Sequence, residues 1–149
     1  MMRYFLDTEF NGFGGELISI AMVPEDDGVA PFYGAVECQN PTPWVVEHII
    51  PVLDVEPVER SRLADQFADY LSDDPEPVLV ADWPEDIAHA ARLLVIAPGL
   101  MKPVRNIRFD LVDAALVSWG EGSAVPHNAY HDALRLRADV LAYEKRMVM

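Results

Sequence analysis

The chain has 149 residues, 51% of them hydrophobic, with 25 acids against 11 bases and a formal net charge of −14. That length suits a single compact domain, 1–149, and the apolar share supports a sizeable core, which excludes a disordered protein. Cys38 is the only cysteine, so neither a disulfide framework nor a thiolate zinc site is available, and no run nears the ~18 apolar residues of a membrane span.

Met2 to Thr8 is a short apolar run ending in acids, the pattern of a buried strand. It meets Asp7 and Glu9 too early to form a signal peptide's apolar region, so a cytoplasmic protein without membrane contact is expected. Asn11 to Gly15 has turn character, and Glu16 to Val23, rich in β-branched residues, predicts a second strand. Pro24 to Gly28 is a turn signal, and Val29 to Val36 predicts the third strand of a meander. Pro43 to Ile50 predicts a short helix, and Pro57 to Leu71 a longer one, spaced through Leu63, Phe67, Tyr70 and Leu71. Pro77 to Ala81 predicts a fourth strand, and Pro84 to Val95 a helix with Glu85 and Asp86 in its first turn, where acids suit the dipole. Val104 to Phe109 predicts a fifth strand, Asp110 to Val117 a helix, and Trp119 to Ser123 a loop. His127 to about Arg146 predicts the last helix, with Leu134, Ala138 and Leu141 on its apolar side. Three strands, then helices, then strand–helix–strand–helix imply an α/β domain with a central mixed five-stranded sheet flanked by helices.

Three acidic motifs stand out. In Asp7-Thr8-Glu9, residues two apart on a strand point to one face, so both carboxylates can meet the same metal pair. Two acids at a solvated strand end give the same pattern, but the apolar Tyr4-Phe5-Leu6 would carry Asp7 to the tip of a central strand. Asp82-Trp83-Pro84-Glu85-Asp86 lies where a strand gives way to a helix. There Asp82 fits an N-cap and the other acids answer the helix dipole, while Asp86 is also placed to point into a cleft. In His127-Asn128-Ala129-Tyr130-His131-Asp132, a spacing of five puts His127 and Asp132 about 140° apart on a helix. Pro126 favours His127 standing just outside that helix, where it serves either as a cap or as a functional group.

Asp7-x-Glu9, then Asp86, then His127-x-Ala129-x-x-Asp132, in that order, resembles the DEDDh exonucleases of the ribonuclease H-like superfamily. The opening Met2 to Phe10 followed by Glu16 to Ile20 is similar to the small bacterial branch containing ribonuclease AS, an adenylate-preferring exoribonuclease. The resemblance spans essentially the whole chain. At the middle motif Asp82 falls on the family's Asn and Glu85 on its aromatic residue, so only Asp86 keeps its identity; Asp82 stays a substitute ligand.

The resemblance implies a metal-dependent 3′→5′ exoribonuclease that releases nucleoside monophosphates from single-stranded RNA by two-metal-ion catalysis. Asp7 would bridge two divalent cations, Glu9 and Asp132 would complete one site, Asp86 would hold the other, and His127 would be the general base. All-carboxylate ligands suit Mg²⁺ or Mn²⁺. Phe10 and Asn11, with Asp82 and Trp83, are candidates to touch the terminal nucleotide; Phe10, Trp83 and Trp119 fit base stacking and core packing equally. Lys102, Arg105, Arg108, Arg135 and Arg137 are candidates for phosphate contacts.

A charge of −14 argues against tight non-specific binding of nucleic acid, though not against metal-dependent chemistry. The motifs do not read the sugar, so single-stranded DNA is an alternative substrate, and an inert member that binds nucleic acid or a protein is the other alternative. A homodimer is compatible with the resemblance.

Overall fold

A computed structural model of the chain describes residues 2–117 and 122–148. Strand β1 (Arg3–Phe10) lies at the centre of a five-stranded sheet. It pairs antiparallel with β2 (Leu17–Pro24), which pairs antiparallel with β3 (Phe32–Ala35). On its other side β1 pairs parallel with β4 (Val78–Ala81), which continues parallel to an edge strand over Arg108–Leu111. The expected mixed five-stranded α/β architecture is therefore present, in the order third, second, first, fourth, last.

Helices cover both faces because β1 alternates apolar side chains up and down. Tyr4 and Leu6 join a core with Leu63, Phe67 and Leu71 of α2 (Arg60–Leu71) and with Ala90 and Leu93 of α3 (Pro84–Leu93). Phe5 points the other way, packing with Val78 and Val80 against Leu136 and Val140 of the C-terminal helix, Ala129–Met147. Phe5, Leu6 and Phe67 are fully buried, each worth about 1.5–3 kcal/mol against exposure. A short helix α1 (Pro43–His48), N-capped by Thr42, closes over the far side of the meander. None of the described helices is long and apolar enough to cross a membrane.

Several boundaries differ from expectation, each for a local reason. The third strand begins at Phe32, after Pro31, which has no amide hydrogen to donate to a ladder. Helix α2 begins at Arg60 because the Val58 backbone is taken up by bonds with Ala35 and Glu37. Helix α3 stops at Leu93; the apolar Val95 and Ile96 continue its pattern but turn into a small hairpin, β5 (Val95–Ala97) and β6 (Leu100–Met101), around Gly99 at φ 73°. The last strand, β7 (Arg108–Leu111), runs later than Val104–Phe109, since Asn106 at φ 41° interrupts an extended chain. Helix α4 is correspondingly confined to Ala114–Val117. In the final helix, α5, the buried stripe is Ala129, Ala133, Leu136 and Val140, and Ala138 is exposed. Two neighbouring stripes of this helix are apolar, and only the sheet selects between them. Trp119 and most of its loop lie outside the described residues.

Candidate metal centre and cleft

The end of β1 brings the three acidic motifs together. Asp7 and Glu9 follow Phe5 on the face that α5 covers, and Asp132 lies in the first turn of that helix. One oxygen from each of Asp7, Glu9 and Asp132 lies within 4.8 Å of the other two. Asp7, Asp82 and Asp86 form a second group within the same limit, so Asp7 belongs to both. Asp82 follows the last residue of β4, and Asp86 sits in the first turn of α3. The structure thus brings both middle-motif candidates, Asp82 and Asp86, to Asp7.

These carboxylates are held under mutual repulsion. Asp7 Oδ2 is sealed from solvent and has no hydrogen-bond partner among the described residues, although buried polar atoms are nearly always satisfied. Burial, and then the charges of Asp86, Glu9, Asp132 and Asp82, hold the Asp7 carboxyl well above the usual carboxylate range. Burial also pushes Glu9 up to about 8, helped by a hydrogen bond with Asp132. Asp86, 3% exposed, is pushed up to about 7, chiefly by burial. The Thr8 hydroxyl, donating to Asp86 Oδ1 at 2.6 Å, and the Thr8 amide at 3.3 Å pull the other way. Burial raises Asp82 too, against the opposing Arg135 guanidinium 3.4 Å from its Oδ2. Two all-oxygen groups that share Asp7, one of whose oxygens is buried without a partner among the described residues, have the donor set of a hard divalent cation site.

A cleft of about 360 Å³ opens on these acids, lined by Asp7, Glu9, Asp82 and Asp86 and walled by Phe10, Trp44 and Trp83. Phe10 stacks on His89 at 5.0 Å between ring centroids, so it is both packed and at the cleft wall. Trp83 is half-exposed, its indole donating to Glu85. The Asn11 side chain instead ties the turn to the next segment: its amide donates to the Asn40 carbonyl, and its oxygen accepts from the Thr42 amide.

His127 stands outside α5 in the left-handed region, at φ 70°, and the N-cap is Asn128, which accepts from the His131 amide. Asn128 also donates to the Val52 carbonyl at 2.8 Å, so one buried residue fixes the start of α5 against the α1 side of the molecule. The His127 ring packs edge-on against Trp44 at 5.0 Å and lies 6.0 Å from His48, which itself stacks on Trp44 at 4.5 Å. His127 itself neither lines the acid-lined cleft nor joins either acid group; it touches Trp44, which does line the cleft.

Trp44, His48 and Thr8 were missed as site residues. A Trp and a His four apart on a helix share a stripe, and that spacing in Trp44-Val-Val-Glu-His48 is the signal that was available. Of the cations expected to reach phosphate, Lys102 pairs with Asp65, Arg135 with Asp82 and Asp139, and Arg137 with Asp27. Arg108 pairs in register with Val78, three residues before the end of β4, and so lies at the opposite end of the sheet from the acids. Arg105 is exposed in the segment leading to β7. The chain matches no known family model and no curated protein.

Proposed function

We propose that the chain is a metal-dependent 3′→5′ exonuclease of the DEDDh type on a ribonuclease H-like fold, with single-stranded RNA as substrate. The observation that carries this reading is Asp7. It is the shared member of two carboxylate groups, and its buried Oδ2 lacks any protein partner. Asp7 with Glu9 and Asp132 would hold one divalent cation, and Asp7 with Asp82 and Asp86 the other. Cations bound there would neutralise the scissile phosphate and acidify a water.

The chain's own groups supply the remainder. Thr8 fixes the Asp86 carboxylate by donating to Oδ1, leaving its second oxygen for the cleft. His127, in contact with the cleft-wall Trp44, would take the proton of the attacking water on a ring nitrogen as general base. Phe10 and Trp83 offer aromatic faces on which the terminal base stacks, a contact worth about 1–3 kcal/mol.

Purified protein incubated with 5′-labelled single-stranded RNA or matched DNA and Mn²⁺ or Mg²⁺ tests the reading. A ladder shortening from the 3′ end, abolished by chelator and by Asp7→Ala and faster on RNA, is the expected outcome. Faster digestion of DNA moves the assignment to the DNA enzyme, and folded, metal-loaded protein that cuts neither strand favours the inert binding member.

A further inference from the structure

A second hollow, also about 360 Å³, lies on the other side of the Phe10–His89 stack. Its walls include Gly14, Gly15, Glu16, Arg60, His89 and Arg92. Arg60 opens α2 and Arg92 lies in the last turn of α3, so two helices converge their guanidinium groups on one space. Both arginines are exposed, and neither makes an ion pair or hydrogen bond among the described residues, in a chain with 25 acids. Arg3, Lys102, Arg135 and Arg137 by contrast all have carboxylate partners.

His89 is 6% exposed, makes no hydrogen bond among the described residues, and lines the hollow with them. Two carboxylates are near: Glu85, one turn before His89 on α3, which also accepts from Trp83, and Glu16 in the wall. Backbone forms the adjoining rim. A Cβ on Gly15 would lie 1.9 Å from the Asn11 carbonyl oxygen, and Gly14, at φ 69°, has open space where a side chain would be. Two unpaired guanidinium groups on one hollow suit an anion, whose oxygens they would bind bidentately.

Its position identifies the anion. Phe10 walls the acid cleft and His89 walls the hollow, with their rings in contact. Along α3, His89 and Arg92 stand about 4.5 and 9 Å further on than Asp86, at about 1.5 Å of rise per residue. That offset from the acids is on the scale of neighbouring nucleotides in a strand. We infer that the Arg60–His89–Arg92 hollow binds a backbone phosphate of the substrate strand, other than the one cut. The ligand class rests on the nuclease reading; the anion site itself does not.

The test compares the full chain with Arg60→Gln/Arg92→Gln and with Arg62→Gln, which removes an exposed arginine of α2 outside the hollow, after circular dichroism verifies that all three fold. For Mn²⁺-dependent digestion of an eight-nucleotide single-stranded RNA, the double variant should raise KM about tenfold with kcat within about twofold. The slope of log KM against log salt should become shallower by about 0.7–1.4, the value for one or two lost contacts to a single strand. Arg62→Gln should do neither. Unchanged KM and salt slope in the double variant, or an equal effect of Arg62→Gln, overturns the inference. If the chain digests no RNA, the same proteins are compared by fluorescence anisotropy with the labelled octamer. Binding weakened at least fivefold only in the double variant keeps the phosphate site while removing the nuclease; equal binding, or none, overturns the site as well.

Discussion

The two ends of β1 treat charge in opposite ways. At its start Arg3 donates to both oxygens of Glu25 and to both oxygens of Glu144, all at 2.8–2.9 Å. The guanidinium lowers the Glu25 carboxyl below its ordinary range, and the pairs raise that of Arg3 itself. At its end five carboxylates, those of Asp7, Glu9, Asp82, Asp86 and Asp132, come together, and among the described residues only Arg135 opposes them, at Asp82. Asp7, Glu9 and Asp86 are all raised there, burial being the leading cause. The first arrangement is balanced within the chain. The second is balanced only when something cationic is added, which is how a binding site differs from a structural ion pair.

Replacing Asp7 sharpens that contrast most. Asp7→Asn should lower Mn²⁺-dependent nuclease activity by several orders of magnitude, because one residue serves both metal groups. The same variant should unfold at a higher temperature than the parent in chelator, since it removes a buried, unbalanced charge. Full activity in the variant would end the metal assignment. Thr8→Val comes next: it removes the hydroxyl that orients Asp86, so Mn²⁺ affinity should fall about 10–100-fold in a calorimetric titration. Affinity equal to the parent's would show that Asp86 needs no such support.

Metal should also stabilise the fold. At 100 times its dissociation constant, a cation bound only by the folded state adds about 2.7 kcal/mol, read as a rise in unfolding temperature that Asp7→Asn lacks. An equal rise in both proteins would place the cation elsewhere.

The sign of the pH dependence follows from the raised carboxyls. Glu9 titrates near 8 in the folded chain against 4.5 as its ordinary value, and Asp86 near 7 against 3.8. Between those limits the folded state binds more protons than the unfolded one, so metal-free stability should be greatest at acid pH and decline as pH rises toward 8. Glu9→Gln should flatten this decline; a slope unchanged by that substitution would assign it to general charge repulsion. The balanced end responds least. Arg3→Gln should cost about 1 kcal/mol of stability, as partly exposed pairs do, and leave RNA digestion at the parent's rate. A loss of activity there would mean the two ends are coupled.

Much of this was legible along the chain. The apolar run before Asp7 and the alternation of a strand placed Asp7 and Glu9 on one face, and the strand-to-helix step at Asp82–Asp86 gave the middle acids their position. The His127–Asp132 motif was readable too, but not its geometry: Asn128 caps the helix, and His127 takes a left-handed conformation to reach Trp44. The hairpin after α3 was not legible, because Val95 and Ile96 continue the helical apolar spacing and only the backbone turn at Gly99 separates them.

Local sequence determined most of the strands and helices, the hairpin after α3 excepted, and which acids sit at their ends, because periodicity and turn residues act over a few positions. It also fixed the order of the three motifs. That Asp82 and Asp86 both reach Asp7, that Trp44 and His48 meet His127, and that Arg60 faces His89 and Arg92 was decided only by tertiary structure. These partners are tens of residues apart, and nothing in the spacing of either one encodes the other. Packing of α2 and α3 on one face of the sheet and of α5 on the other brings these segments together at the end of β1, and the burial that results is what raises the carboxyls.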